Sequence, residues 1–225
     1  MQLYLDSSDP REILKARDWG ILDGVTTNPS LISKGGSDMQ ATLKKVLDAS
    51  PGPVLAQAYG WDDRESLVAQ ARWLHRFSDR ITVKLPMSVA GIQAVRQLKK
   101  EDPGIRIAVT LVCSVAQAYL AGKAGADIVA IFNGPLDQAL DQDVDLVGPV
   151  RKIYANYGFA TRILSCGRFI KSFGEFAAAG TDICTLRFEF MAALFEHPFT
   201  DKRMRGFSSD WEGVFGKETW PKIAK

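Results

Sequence analysis

The chain has 225 residues with 28 basic and 26 acidic side chains, a near balance that argues against an obligate nucleic-acid binder. No apolar run approaches the roughly 20 residues that a membrane helix needs, and residues 1–6 lack the basic and apolar segments of a signal peptide. The three cysteines, Cys113, Cys166 and Cys184, are too widely spaced for a disulfide framework or a metal motif. These features predict a cytoplasmic protein with reduced thiols and no membrane partner.

Short β-branched or apolar runs recur along the chain, and each is followed by a segment with helical signals. The runs predict eight strands, at Gln2–Leu5, Gly24–Thr26, Val54–Ala58, Ile81–Leu85, Arg106–Thr110, Ile128–Phe132, Arg162–Ser165 and Ile183–Leu186. Helix N-caps are predicted between them, at Asp9, Asp38, Asp62, Ser88 and Ser114. Eight alternating units without a linker predict one α/β domain over residues 1–225, a closed (β/α)8 TIM barrel.

An extra C-terminal helix is predicted over residues 200–216, after the eighth unit. It has a cationic start and an aromatic face formed by Phe207, Trp211 and Phe215. An amphipathic helix with exposed aromatic residues is more often a packing or subunit-contact element than a ligand site.

The predicted strand Ile81–Leu85 carries Lys84 near its C-terminal end and is stopped by Pro86. Strand alternation places Thr82 and Lys84 on one face and the apolar residues on the other. A lysine buried in such a run is expected to have a lowered pKa, and its neutral amine can attack a carbonyl carbon to form a Schiff base. The alternative is an edge-strand lysine whose amine reaches water.

In a barrel of this kind, functional side chains gather at the C-terminal ends of the strands. The ends of the first seven predicted strands carry a lysine, an acid and several groups able to bind hydroxyls: Asp6, Thr26, Asn28, Gln57, Lys84, Thr110, Phe132, and Ser165, Cys166 and Arg168 in one stretch. Their convergence at one mouth predicts carbonyl chemistry, with an amine to form an imine and a carboxylate to move protons.

Each of these residues also has a structural interpretation. Asp6 competes with Asp9 for the first N-cap, and Asn28-Pro29 is typical of a tight turn. Gln57 and Thr110 also suit interior polar positions. Cys166 also suits the role of a small buried thiol, and Arg168 that of a solvated loop charge. Neither His75 nor His197 has metal-ligand spacing, and no Gly-rich phosphate loop is present, so no metal or cofactor is predicted.

Several motifs together resemble the transaldolase family over nearly the whole chain. They are Leu5-Asp6, Gly24-Val25-Thr26-Thr27-Asn28-Pro29-Ser30, Val83-Lys84-Leu85-Pro86 and Thr110-Leu111 with Ser114 and Gln117-Ala118. The short length, His197-Pro198 and Asp210-Trp211 resemble its small branch, which contains fructose-6-phosphate aldolase and short transaldolases. The resemblance implies a metal-free class I TIM barrel that acts on sugars. It also implies a pentamer or decamer, in which the C-terminal helix reaches over a neighbouring subunit.

By this resemblance Lys84 forms the Schiff base at C2 of a ketose, and Asp6 takes the proton from the C4 hydroxyl. Thr110 and Gln57 match the pair that positions the catalytic water, and Asn28 matches a donor-hydroxyl contact. The remaining predicted substrate contacts are Thr26, Phe132, Ser165, Cys166 and Arg168.

The chain also departs from the family pattern. Gln57 stands where transaldolases usually carry glutamate and the aldolase carries glutamine, whereas Phe132 matches transaldolases rather than the tyrosine of the aldolase. Ala108 replaces an asparagine common in transaldolases. Pro135 falls where the family usually has a phosphate-binding arginine, although Arg168 keeps the second basic position. These changes suggest the hypothesis that the substrate carries a different tail, such as a sulfonate, or none.

The sequence therefore predicts a Schiff-base transaldolase that transfers a dihydroxyacetone unit from a ketose to an aldehyde. The alternatives are a lyase similar to fructose-6-phosphate aldolase that releases free dihydroxyacetone, a lyase for another carbonyl substrate, and a non-catalytic barrel that binds a sugar.

Overall fold

Eight parallel strands form a closed barrel within the residues that the computed structural model describes, 1–134, 136, 145–167 and 170–217. Each strand pairs with its neighbours in chain order, and the last pairs with the first. The strands are β1 (Gln2–Asp6), β2 (Gly24–Thr26), β3 (Val54–Gln57), β4 (Ile81–Pro86), β5 (Ile107–Val112), β6 (Ile128–Ile131), β7 (Arg162–Cys166) and β8 (Ile183–Leu186). The predicted (β/α)8 TIM barrel is confirmed.

Helices follow the strands along the chain. They are α1 (Pro10–Asp18), α2 (Pro29–Ile32), α3 (Met39–Ala49), α4 (Arg64–Phe77), α5 (Val89–Glu101), α6 (Val115–Ala124), α7 (Val147–Tyr157), α8 (Ile170–Ala178), α9 (Phe188–Ala193) and α10 (Pro198–Phe215), with a 3₁₀ turn at Ser33–Gly35. None of the helices that the structure describes has the length and apolar character of a membrane span.

Side-chain caps begin four of these helices where the sequence predicts them. Four predicted N-caps accept a main-chain N–H of the first turn at 2.9–3.2 Å: Asp9, Asp38, Ser88 and Ser114. The prediction of Asp62 is wrong, because α4 begins at Arg64 and Asp63 accepts the N–H of Ser66 at 3.1 Å. Each such cap stabilises its helix by about 1 kcal/mol.

The barrel interior is filled by buried side chains from six of its strands: Tyr4, Leu55, Ala108, Ile128, Ala130, Leu164 and Ile183. Tyr4 packs so closely that a Cβ on Gly24, its register partner on β2, would lie 2.6 Å from the tyrosine ring. Any larger residue there would displace either the ring or β2. This apolar layer leaves the polar side chains at the C-terminal ends of the strands.

The described C-terminal residues, 192–217, belong to a second compact unit. Its helix α10 begins at Pro198, where Nδ1 of His197 accepts the N–H of Phe199 at 3.2 Å, so this histidine is a helix cap. Its large apolar side chains are exposed: Phe199, Met204, Phe207, Trp211, Val214 and Phe215. The extra C-terminal helix with an aromatic face is thereby confirmed, whereas a single domain over residues 1–225 stays a prediction.

Candidate active site

A cavity of about 420 Å³ opens at the C-terminal ends of the barrel strands. Leu55, Ala130 and Leu164 belong both to the interior apolar layer and to the cavity wall, so that layer lines part of the cavity. Eight of the ten predicted site residues line it: Asp6, Thr26, Asn28, Gln57, Lys84, Thr110, Phe132 and Cys166. A pocket of this size fits a small molecule.

Lys84 extends from β4 into this cavity, and only 8% of the residue is exposed. Its amine Nζ donates a hydrogen bond to the main-chain carbonyl of Thr27 at 2.9 Å. Burial lowers the pKa of the amine below its usual value, and the nearby Asp6 and Cys166 oppose this shift. The predicted burial of Lys84 is confirmed, and its environment favours the neutral, nucleophilic form.

The lowered pKa of Lys84 predicts how the stability of the protein depends on pH. In the unfolded chain the pKa of Lys84 keeps its ordinary value of about 10.5. Between the lower pKa of the folded protein and this value, Lys84 is protonated in the unfolded chain and neutral in the folded protein. The contribution of Lys84 to stability therefore rises with pH across a window that ends near the ordinary value. The melting temperature of the wild type relative to Lys84→Met, measured from about pH 7 to about pH 10, is expected to rise.

Comparing the two proteins at each pH cancels the contributions of other buried groups, such as Cys184, whose pKa is raised by burial to about 12. A difference in melting temperature that stays constant across this range contradicts the prediction.

Asp6 ends β1 beside the cavity, and two threonines orient its carboxylate. The hydroxyl of Thr26 donates to Asp6 Oδ1 at 2.9 Å and lies 2.7 Å from the hydroxyl of Thr185 on β8. Because a hydroxyl has one hydrogen, Thr185 is the donor to Thr26. The N-cap of α1 is Asp9, so Asp6 is not needed for capping and is available for proton transfer.

The turn after β2 positions both Lys84 and Asn28. The hydroxyl of Thr27 donates to the carbonyl of Leu55 at 3.0 Å, and the Thr27 carbonyl holds the Lys84 amine. Oδ1 of Asn28 accepts the N–H of Leu31 at 3.0 Å and caps α2. The side-chain oxygen of Asn28 is therefore used in capping the helix, and its NH₂ group is left as a donor at the cavity wall.

Gln57 and Thr110 lie on the two strands that flank β4. Gln57 is the register partner of Lys84 on β3, and Thr110 pairs with Pro86 on β5. Neither side chain makes a hydrogen bond to another residue that the structure describes, so both are available to water or a substrate. This placement is compatible with their predicted role of holding a water beside the amine.

One predicted residue that the structure describes, Ser165, does not line the cavity. Ser165 is fully buried, and its hydroxyl lies 2.7 Å from that of Thr181. Because side chains alternate along β7, Leu164 and Cys166 line the cavity while Ser165 faces away from it. The prediction of Ser165 as a substrate contact is therefore wrong. Arg168, together with Pro135, lies outside the described residues.

The cavity or anchoring residues that were not predicted as site residues include Thr27, Leu111, Thr185 and Arg187. Leu111 lies within the register shift between Val109 and Val112 of β5 and has a positive φ of 63°, a conformation that is rare for leucine. Thr185 and Arg187 come from the end of β8, the one strand from which no site residue was predicted. Applying the rule of strand ends to that strand as well would have found both.

A second cavity of about 480 Å³ adjoins the first and shares Asn28, Pro29 and Gln57 with it. Its described lining is mainly apolar and carries no amine, carboxylate, imidazole or thiol. The reactive groups therefore belong to the first cavity. Across the described ranges, no three His, Cys, Asp or Glu side chains come together in a way that would hold a metal ion.

The fold and the site define a class of protein: a (β/α)8 barrel with a buried amine and a carboxylate in one strand-end cavity, suited to carbonyl chemistry. Residues 3–219 match the family described as Transaldolase/Fructose-6-phosphate aldolase, and the chain belongs to this family.

Several curated relatives, each named a probable transaldolase, align with almost the whole chain. The protein of Aquifex aeolicus (strain VF5) is 41% identical over 215 residues, which cover 95% of this chain and 98% of the relative. That of Hydrogenobaculum sp. (strain Y04AAS1) is 41% identical over 218 residues, or 96% and 99% of the two chains. That of Anaeromyxobacter dehalogenans (strain 2CP-C) is 37% identical over 226 residues and covers 100% of both.

Proposed function

We propose that the protein is a transaldolase that transfers a dihydroxyacetone unit through a Schiff base on Lys84. The observation that carries this proposal is the buried amine of Lys84, with its lowered pKa, in the same cavity as the carboxylate of Asp6. Family membership supports it, because the curated relatives are named probable transaldolases.

The proposed reaction begins with attack of the neutral Lys84 amine on C2 of a ketose. Uptake of a proton and loss of water give an iminium ion. Asp6 then takes the proton of the C4 hydroxyl, and the C3–C4 bond breaks. The electron pair of that bond neutralises the iminium as an enamine, and the fragment from C4 onward leaves as an aldehyde. The enamine adds to an acceptor aldehyde, whose new alkoxide takes the proton back from Asp6. Water held by Thr110 and Gln57 finally hydrolyses the new iminium.

A lyase that releases free dihydroxyacetone is the second candidate function. Gln57 beside Lys84 favours it, because the resemblance pairs glutamine with the aldolase, whereas Phe132 offers no hydroxyl to protonate the enamine. We prefer the transferase because Phe132 lacks this hydroxyl.

The test is ketose consumption with and without an added aldehyde acceptor. We expect consumption to depend on the acceptor, with little free dihydroxyacetone. Equal consumption without acceptor, with stoichiometric dihydroxyacetone, would assign the lyase instead.

We further propose a homo-oligomer, a pentamer or decamer, assembled through α10. The exposed apolar side chains of this helix, among them Phe207 and Trp211, support a role in subunit contact. Light scattering of the full chain measures its mass, and a monomer at micromolar concentration would contradict this proposal.

We also propose a cytoplasmic location. Cys113 is an exposed free thiol, which suits a reducing compartment. Fractionation of cells that produce the protein tests this, and recovery outside the cytoplasm would contradict it.

A further inference from the structure

We propose that Arg187 binds a terminal oxyanion of the substrate, a phosphate or a sulfonate, and selects ketoses that carry one. The inference rests on the proposed function, because it concerns the far end of a ketose whose carbonyl carbon is joined to Lys84. It assigns a binding role to a residue that lies directly after β8 and lines the cavity.

The position of Arg187 relative to Lys84 is the first observation. In the closed barrel β4 and β8 are four strands apart among eight, so they lie on opposite sides of the mouth. Both residues line the same cavity. A sugar bound to Lys84 through its second carbon therefore has its tail free to extend across the mouth toward Arg187.

The charges of the cavity are the second observation. Arg187 is exposed, and its side chain makes no hydrogen bond or ion pair with any residue that the structure describes. Arg72 and Arg151, in contrast, each bind a carboxylate, at 2.8 and 2.7 Å. Because burial favours the neutral form of Lys84, Arg187 is the permanent positive charge of the described cavity wall.

The chemistry of the guanidinium selects the ligand. Its planar set of N–H donors matches the oxygens of phosphate and sulfonate and binds them in pairs. Asp6 is the sole carboxylate of the described lining, and its partner is the Thr26 hydroxyl rather than Arg187, so no carboxylate of the described lining is paired with Arg187. A cavity of about 420 Å³ admits a small anionic sugar rather than a protein segment.

The experiment compares three six-carbon ketoses that differ at C6, with a phosphate, a sulfonate or a hydroxyl group. In Arg187→Gln the ratio of kcat/KM for an anionic ketose to that for the neutral one is expected to fall by about 10- to 100-fold. The matched control is Arg76→Gln, which removes the same charge from an exposed position on α4, outside the cavity, and is expected to keep the wild-type ratio.

Comparing the two anionic ketoses shows which terminal group Arg187 recognises. It is the group of the ketose whose kcat/KM ratio to the neutral ketose falls further in Arg187→Gln. A wild type without preference for either anion over the neutral ketose overturns the proposal. An unchanged ratio in Arg187→Gln overturns it as well.

Two further measurements separate this inference from the proposed function. Borohydride trapping of the neutral ketose on Lys84, followed by peptide mass spectrometry, tests Schiff-base formation without the anion. Titration of the wild type and Arg187→Gln with inorganic phosphate and with sulfate tests the anion site without turnover. Weaker binding in the variant supports the role of Arg187 even if no ketose is trapped, and equal binding overturns it even if trapping succeeds.

Discussion

Replacing Lys84 with methionine is expected to lower the rate of ketose turnover by at least about 10³-fold, because it removes the nucleophile on which every later step depends. The fold is expected to survive, since methionine is also long and unbranched and removes the cost of burying an amine. Steady-state rates, circular dichroism and borohydride trapping measure the two effects. The variant should give no ketose adduct at residue 84.

The matched control is Lys100→Met, which makes the same change at an exposed position on α5. It is expected to keep wild-type turnover and trapping. Retained activity in Lys84→Met, or an adduct on another lysine in the wild type, would contradict the assignment of Lys84.

Replacing Asp6 with asparagine is expected to slow carbon–carbon bond cleavage by about 10²- to 10⁴-fold while imine formation slows much less. The amide keeps the size of the carboxylate and an oxygen for the Thr26 hydroxyl, but it cannot take the proton of the C4 hydroxyl. Trapping with borohydride at short times measures imine formation, and release of the aldehyde measures cleavage. The variant should therefore accumulate trapped ketose.

Asp9→Asn is the matched control, because it makes the same change three residues away at an N-cap, where asparagine caps about as well as aspartate. Its kinetics are expected to match the wild type. Equal losses in both steps of Asp6→Asn would contradict the role assigned to this carboxylate.

The fold was predictable because strand and helix signals alternate regularly along the chain. Each of the eight predicted strands forms, and the differences are of one or two residues at their ends, as at Arg106, where β5 begins one residue later. Four of the five predicted N-caps are correct, and the fifth is one residue away. Asp62 and Asp63 are equally good caps, so local chemistry does not choose between them.

The site was predictable only where a side chain acts at a strand end. Lys84 and Asp6 meet that condition. Ser165 lies one residue away from the positions of β7 that face the cavity, because the barrel register determines which residues of this strand face inward. Thr27 was part of the motif after β2 but was not predicted as the anchor of Lys84, because its main-chain carbonyl, rather than its side chain, contacts the amine. Arg187 directly follows β8, so the rule of strand ends predicts it once that rule is applied to the eighth strand.

The anchor of Lys84 has a consequence for mutational scanning. A carbonyl oxygen is present in every amino acid, so substituting Thr27 does not remove the atom that holds the amine. Substitution can only turn its peptide plane, which the Thr27 hydroxyl fixes against Leu55 and the Asn28 cap fixes against α2. An iminium nitrogen keeps one N–H, so the same oxygen can hold lysine before and after it binds a sugar. A scan of side-chain substitutions would therefore detect this contact only indirectly, through a change in the geometry of the turn.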